Sequence, residues 1–124
     1  MKLLEYSQNI IIEPMKESDL PVVAEIEQLS FTSPWSRRML EADLKKAHYF
    51  VAKDGDRVIG YIGLQTVLDE GHIPTFAVHP KFRGKGLGIK LVEKVIEVGR
   101  EKKLNPLRVV WRGCIFSLSI QGFM

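Results

Sequence analysis

Residues 79–88 read HPKFRGKGLG: glycines stand at 84, 86 and 88, with Lys81, Arg83 and Lys85 among them. Glycine frees backbone torsions and lets a ligand approach the main chain without meeting a Cβ. Arginine and lysine add formal positive charge. A helix starting just after such a turn would add unpaired amides and the positive end of its dipole. The chemistry this combination suits is the binding of phosphate or pyrophosphate oxygens. Neither common nucleotide motif is met. A P-loop needs Ser or Thr after its lysine, and Gly86 follows Lys85. The dinucleotide fingerprint would need glycine where Ile89 or Leu91 stands.

A second group with possible chemistry is Glu70 and His72, two residues apart. On a strand they face the same side, and imidazole titrates near neutrality, so the pair has the makings of a general base. A solvated pair at a strand start is the equally weighted alternative. His79, before Pro80, reads as a strand-end cap or a phosphate contact. Tyr49 and Tyr61 fall on strand-like runs where propensity alone accounts for them. Phe31, Pro34 and Trp35 read by themselves as buried anchors beside a break between helices.

The elements that must position these residues follow from patterning. NIIIEPM predicts a first strand around Ile10–Ile12. SDLPVVAEIEQLSF predicts a helix capped by Ser18 or Asp19, with Val22, Val23, Ile26 and Leu29 inward. After the break, Ser33 or Ser36 caps a second helix with Met39, Leu40, Leu44 and Ala47 inside. YFVAKDGDRVIGYIGLQTV predicts a hairpin around Asp54-Gly55, with its second strand reaching about Leu68. Asp69 to Gly71 reads as a turn, and HIPTFAV as a strand that Pro74 interrupts. From Gly86 or Gly88 to about Lys103 a helix places Leu87, Leu91, Val95 and Val98 on one face. LRVVW predicts one more strand. The sum is one α/β domain over residues 1–124, built on a mixed sheet.

Composition bounds the partners. The chain has 124 residues, 45% hydrophobic and 27% charged, with net charge +3. That charge suits an anionic ligand without demanding nucleic acid, and the basic residues do not continue as a stripe with interleaved aromatics. No apolar run is long enough to span a bilayer, and the single cysteine, Cys114, leaves no internal disulfide. A cytoplasmic protein with no metal site and no membrane partner is expected. Cys114 reads as a small buried apolar residue.

Arg83, Gly86 and Gly88 fit the spacing of a signature that the chain shares by resemblance with the GNAT acyltransferase superfamily: Arg or Gln, two residues, Gly, one residue, Gly or Ala. AVHPKF before it and IKLVEKVIE after it also resemble that family. EIEQLSFTSPWS, VIGYIGL, DEGHI and FAVHP resemble more narrowly the bacterial ribosomal-protein-alanine N-acetyltransferases, the RimI branch. The resemblance covers about residues 10–105. It implies a GNAT fold and acetyl transfer from acetyl-coenzyme A to the α-amine of a protein N-terminus, with a ribosomal protein as the expected partner. It also implies that Phe76, Ala77 and Val78 offer backbone to the pantetheine arm, and that Arg83, Gly84, Lys85, Gly86, Leu87 and Gly88 hold the pyrophosphate. A backbone amide near Val78 would face the thioester oxygen. Phe31, Pro34 and Trp35 would border the peptide entrance, and His72 would stand where some archaeal relatives carry a histidine base.

The resemblance stops after about Val110. The branch continues with Leu-Glu-Val-Arg, an asparagine and a helix carrying tyrosine; its Glu is the usual base and its Tyr the usual acid. Here Val110 takes the glutamate's place, and LRVVWRGCIFSLSIQGFM contains neither asparagine nor tyrosine. Residues 111–124 are an atypical tail for the family, as abrupt a change as a shifted reading frame would make. Hence a coenzyme A-binding relative impaired in catalysis is the main alternative, ahead of a small-amine acetyltransferase or a nucleic-acid-binding module. In the tail, Phe116, Leu118 and Ile120 alternate with polar residues. Such a strand either fills its own sheet or pairs two chains into a homodimer.

Overall fold

The computed structural model describes residues 10–105, 107–111 and 114–118, the last two stretches through their backbone. Pro14 ends the first strand, β1 (Ile10–Pro14). A 3-10 turn over Glu17–Asp19 leads into α1 (Leu20–Ser30), with Pro21 in its first turn. Leu20, Val23 and Ile26 are buried, whereas Val22 and Leu29 are 38% and 54% exposed. The inward stripe is thus rotated from the expected one, because Leu20 sets the phase. Asp19 does not cap α1 through its side chain. Its carboxylate accepts the Lys16 N–H at 2.9 Å and pairs with Lys53 at 3.2 Å.

Ser36 caps α2 (Arg37–Leu44), accepting the Met39 N–H at 3.2 Å. Leu40 faces the core and Met39 faces solvent, contrary to expectation; the helix ends before Ala47, which packs from the following turn. β2 (His48–Asp54) and β3 (Arg57–Val67) form the expected hairpin, with Gly55 at φ +65° in its turn. Asp69 closes the next turn, but Glu70 and Gly71 already belong to β4 (Glu70–Ile73) rather than to the turn.

Pro74 and Thr75 then separate β4 from β5 (Phe76–Val78). The interruption follows from chemistry, since Pro74 has no N–H to give a ladder. α3 (Leu87–Glu101) returns across the sheet to β6 (Leu107–Trp111) and β7 (Cys114–Leu118). The sheet order is β1-β2-β3-β4-β6-β7, with β5 also on β3. β4 and β6 run parallel and are paired through Ile73↔Val109. Beyond that pair the chain leaves β6, and β5 pairs with β3 at Ile62↔Phe76, Tyr61↔Ala77 and Gly60↔Val78. A gap therefore opens between the two strands where Pro74 stands.

β7 completes the sheet of its own chain, antiparallel to β6, while Ile120 lies outside the described residues. Two apolar layers hold the sheet. Leu87, Leu91, Val95 and Ile96 of α3 pack with Phe50, Ile62, Leu64 and Ile73 on one face. Leu20, Val23 and Ile26 of α1 and Leu40 of α2 pack with Tyr49, Val51 and Tyr61 on the other. No helix among the described residues is long and apolar enough to cross a membrane.

Candidate functional site

β5 reaches the gap with one side already used. Thr75 O accepts the Gly63 N–H at 3.1 Å, and the His79 N–H donates to Ile59 O at 2.8 Å. Antiparallel partners exchange bonds at alternate residues, so Thr75, Ala77 and His79 turn their polar groups to β3. Phe76 and Val78 turn theirs to the parted edge. At that edge the Arg83 Nε donates to Val78 O at 2.8 Å.

The same edge forms one wall of a cleft of about 370 Å³. Phe76, Ala77, Val78, Arg83, Gly84, Gly86, Leu87 and Gly88 line it, so eight of the nine expected donor-site residues meet in one place. Lys85 is the exception: it is half-buried between Gly84 and Gly86 and does not line the cleft. Phe31 closes the opposite side, while Pro34 and Trp35 lie half-buried away from the lining, Trp35 against the α1–α2 core layer.

The turn's glycines have different reasons. Gly84 and Gly86 hold φ of +80° and +79°, a region costly for any residue with a Cβ. Gly88 is helical, and a Cβ there would meet nothing within 4 Å. Packing does not require glycine at 88; its absent side chain leaves the cleft wall bare. Gly86 is the N-cap of α3, and the first bond inside the helix runs from the Lys90 N–H to Gly86 O at 3.3 Å. The amides of Leu87, Gly88 and Ile89 thus precede the hydrogen-bonded ladder, and no acidic residue occupies the first turn. The cleft ends in a positive helix terminus beside an arginine, which fits an anion.

Two residues of the wall escaped sequence reasoning. Ser30 lies at the end of α1, where only the helix break marked the neighbourhood. Phe82 is buried beneath the turn, edge-on to His79 and under the Arg57 guanidinium at 5.1 Å. An apolar residue amid basic ones in PKFRG was the available signal. His79 caps a second 3-10 turn, Pro80–Phe82, its Nδ1 accepting the Lys81 N–H at 3.1 Å.

Glu70 and His72 sit outside the cleft lining, on β4 before the gap, with His72 Nε2 3.1 Å from Glu70 Oε1. His72 pairs across the ladder with Gln65, whose amide donates to Asp43 Oδ1 of α2 at 2.8 Å. Paired residues share a face, so the histidine lies on the α1–α2 side of the sheet. Both tyrosines among the described residues are hydrogen-bonded. Tyr49 donates to Asp43 at 2.6 Å, and Tyr61 donates to Glu27. Burial first, and then its bond to Asp43, pushes the Tyr49 hydroxyl well above the ordinary tyrosine range, so it keeps its proton. Among the described residues no group of three His, Cys, Asp or Glu could hold a metal ion.

A parted parallel pair, a donor-lined strand and a basic glycine turn at a helix start agree with the sequence comparison. The profile of the Acetyltransferase (GNAT) family matches residues 20–112. The chain belongs to the GNAT acetyltransferase family. A Bacillus subtilis (strain 168) relative assigned as a ribosomal protein bS18-alanine N-acetyltransferase is 35% identical over 99 residues, covering 77% of this chain and 66% of its own length. The Haemophilus influenzae ribosomal protein bS18-alanine N-acetyltransferase is 32% identical over 99 residues, with 78% and 67% covered. The crystal structure of the Escherichia coli ribosomal-protein-S18-alanine N-acetyltransferase superposes with a TM-score of 0.75 at 26% identity, covering 81% of this chain and 65% of that one. The chain thus spans about two thirds of the length of these relatives.

Proposed function

We propose that the cleft binds acetyl-coenzyme A and that the protein transfers its acetyl group to the α-amine of a protein N-terminus, a ribosomal protein beginning with alanine. The observation that carries this reading is the meeting of Phe76–Val78, Arg83 and the α3 start in one cleft beside the parted strands. In this reading the pyrophosphate lies on the amides opening α3 and beside Arg83. The pantetheine arm lies along Phe76 and Val78 as an added strand, its amides exchanging bonds with the outward groups of β5. The relatives named above support the acceptor class. A ribosomal acceptor would place the protein in the cytoplasm.

The chemistry needs little apparatus. A peptide α-amine has a pKa of about 8, so a useful fraction is neutral near pH 7. Its nitrogen attacks the thioester carbonyl carbon, and the developing oxyanion accepts a hydrogen bond from a backbone amide near Val78 that the arm leaves free. The carbon–sulfur bond then breaks, the amine proton passes to solvent or to His72, and coenzyme A leaves as a thiolate that takes a proton from solvent. Glu70, 3.1 Å from its Nε2, orients the imidazole. Phe31, Pro34 and Trp35 border the approach of the peptide.

A second reading is binding without turnover, favoured by Val110 standing where the family pattern has its glutamate base. Mass spectrometry of a peptide with a free amino-terminal alanine, incubated with the protein and acetyl-coenzyme A, separates the two. A gain of one acetyl group on the α-amine, lost with an N-methylated proline start, is the expected result. No acetyl gain with donor binding intact selects the second reading.

A further inference from the structure

The loop from Phe31 to Trp35 is closed at both ends on one residue. The backbone carbonyl of Glu27 accepts the Phe31 N–H at 3.2 Å. The carboxylate of Glu27 reaches over the loop, and its Oε2 accepts the Trp35 N–H at 2.9 Å. The other carboxylate oxygen accepts from the Tyr61 hydroxyl on β3 and from Thr75 Oγ1 at 2.9 Å. Thr75 is the residue at the break between β4 and β5, just where the chain leaves β6. One fully buried side chain thus joins the break in the helices to the break in the strand.

Stability alone does not account for such a group. Burying a carboxylate has a desolvation cost, and apolar side chains of similar volume often serve a core as well or better. What leucine at 27 lacks is an acceptor for the amide of an irregular loop. We infer that Glu27 is a positioning residue for the acceptor: it sets loop 31–35 against the point where the strands part, and so fixes the path of the incoming amine. The inference rests on the proposed reading of Phe31, Pro34 and Trp35 as the acceptor border. Phe31 lines the donor cleft and Trp35 lies beyond it, so the loop that Glu27 holds spans the junction of donor and acceptor.

The test compares three variants. Glu27→Gln keeps the volume; its oxygen can take the Trp35 N–H while its amide donates to the two hydroxyls. Glu27→Leu removes every acceptor. Glu27→Leu with Tyr61→Phe and Thr75→Val also removes the stranded hydroxyls, which guards against simple misfolding. Each is made with Trp111→Phe, leaving Trp35 as the single tryptophan of the two in the sequence. Readouts are Trp35 emission, calorimetric affinity for acetyl-coenzyme A, and affinity for the alanine-start peptide with coenzyme A present. In the folded leucine variants the emission shifts to the red and peptide affinity falls about tenfold or more, as displaced positioning groups do. Donor affinity stays within about twofold, because Phe31 keeps its N–H bond to the backbone carbonyl of residue 27, which the substitutions leave in place. The glutamine variant behaves as the native protein. Unchanged emission and peptide affinity in the folded triple variant would overturn the inference, as would donor and peptide affinities falling together. A native chain that binds donor but no peptide sinks the acceptor reading itself, and the inference with it.

Discussion

Arg83 and Ser30, 53 residues apart in the chain, are joined by a 2.8 Å hydrogen bond from the guanidinium Nη2 to the hydroxyl Oγ. Ser30 spends its own proton on Ile26 O at 2.6 Å, so its oxygen is left to accept. With Nε on Val78 O, the arginine is held across the rim of the cleft between α1 and β5. In the proposed reading, the charge that meets the pyrophosphate is therefore placed before the donor arrives.

Arg83→Ala should weaken acetyl-coenzyme A by about 10- to 100-fold, the loss expected for one or two charge-assisted bonds. Ser30→Ala, which keeps the charge and removes only its tether, should cost about 2- to 5-fold. Calorimetric titration orders the two; equal losses would mean that the tether, and not the cation, carries the contact.

The glycines separate fold from binding. At Gly86, φ +79° makes alanine strained by about 1–2 kcal/mol, read as a lower urea midpoint. At Gly88, where an added Cβ meets nothing within 4 Å, valine should leave the urea midpoint nearly unchanged. Its side chain would instead stand in the cleft and abolish donor binding.

Gly63 has a third reason. A Cβ there would lie 2.5 Å from Cζ of the Tyr49 ring. Tyr49 is pinned by its bond to Asp43, so it has little room to yield. Gly63→Ala should cost about 1–3 kcal/mol, as overpacked cores do. Denaturant unfolding gives the value, and Tyr49→Phe should not relieve it, since the ring remains.

His48 adds a small acid-side loss of stability. Desolvation of its partly covered ring first, and the nearby Lys102 charge second, lower its pKa from the ordinary 6.5. The unfolded chain thus takes up a proton at higher pH than the folded one, and stability falls as pH drops below about 6.5. Thermal unfolding across pH 5 to 7.5 should show a shallower decline for His48→Gln, a side chain that cannot titrate.

Much of the cleft was legible because its signals are local. Glycine spacing, basic residues and the helical stripe from Leu87 fixed the turn and α3, and Pro74 announced the strand break. Other features depended on partners that patterning does not reveal. Val22 and Leu29 read as inward until Leu20 set the phase of α1. Nothing in EIEQ marks Glu27 for burial; it is buried because donors from the following loop, from β3 and from the β4–β5 break converge on it. Ser30 lines the cleft and meets Arg83 there, a contact no local window contains.

Titration of the native 124-residue chain with acetyl-coenzyme A, beside the Gly88→Val variant, tests the central claim most directly. The account predicts saturable binding at one site by the native protein and none by the variant, with the two equally folded by circular dichroism. A folded native chain that gives no binding heat at several temperatures, or a Gly88→Val variant that binds as tightly, would contradict it.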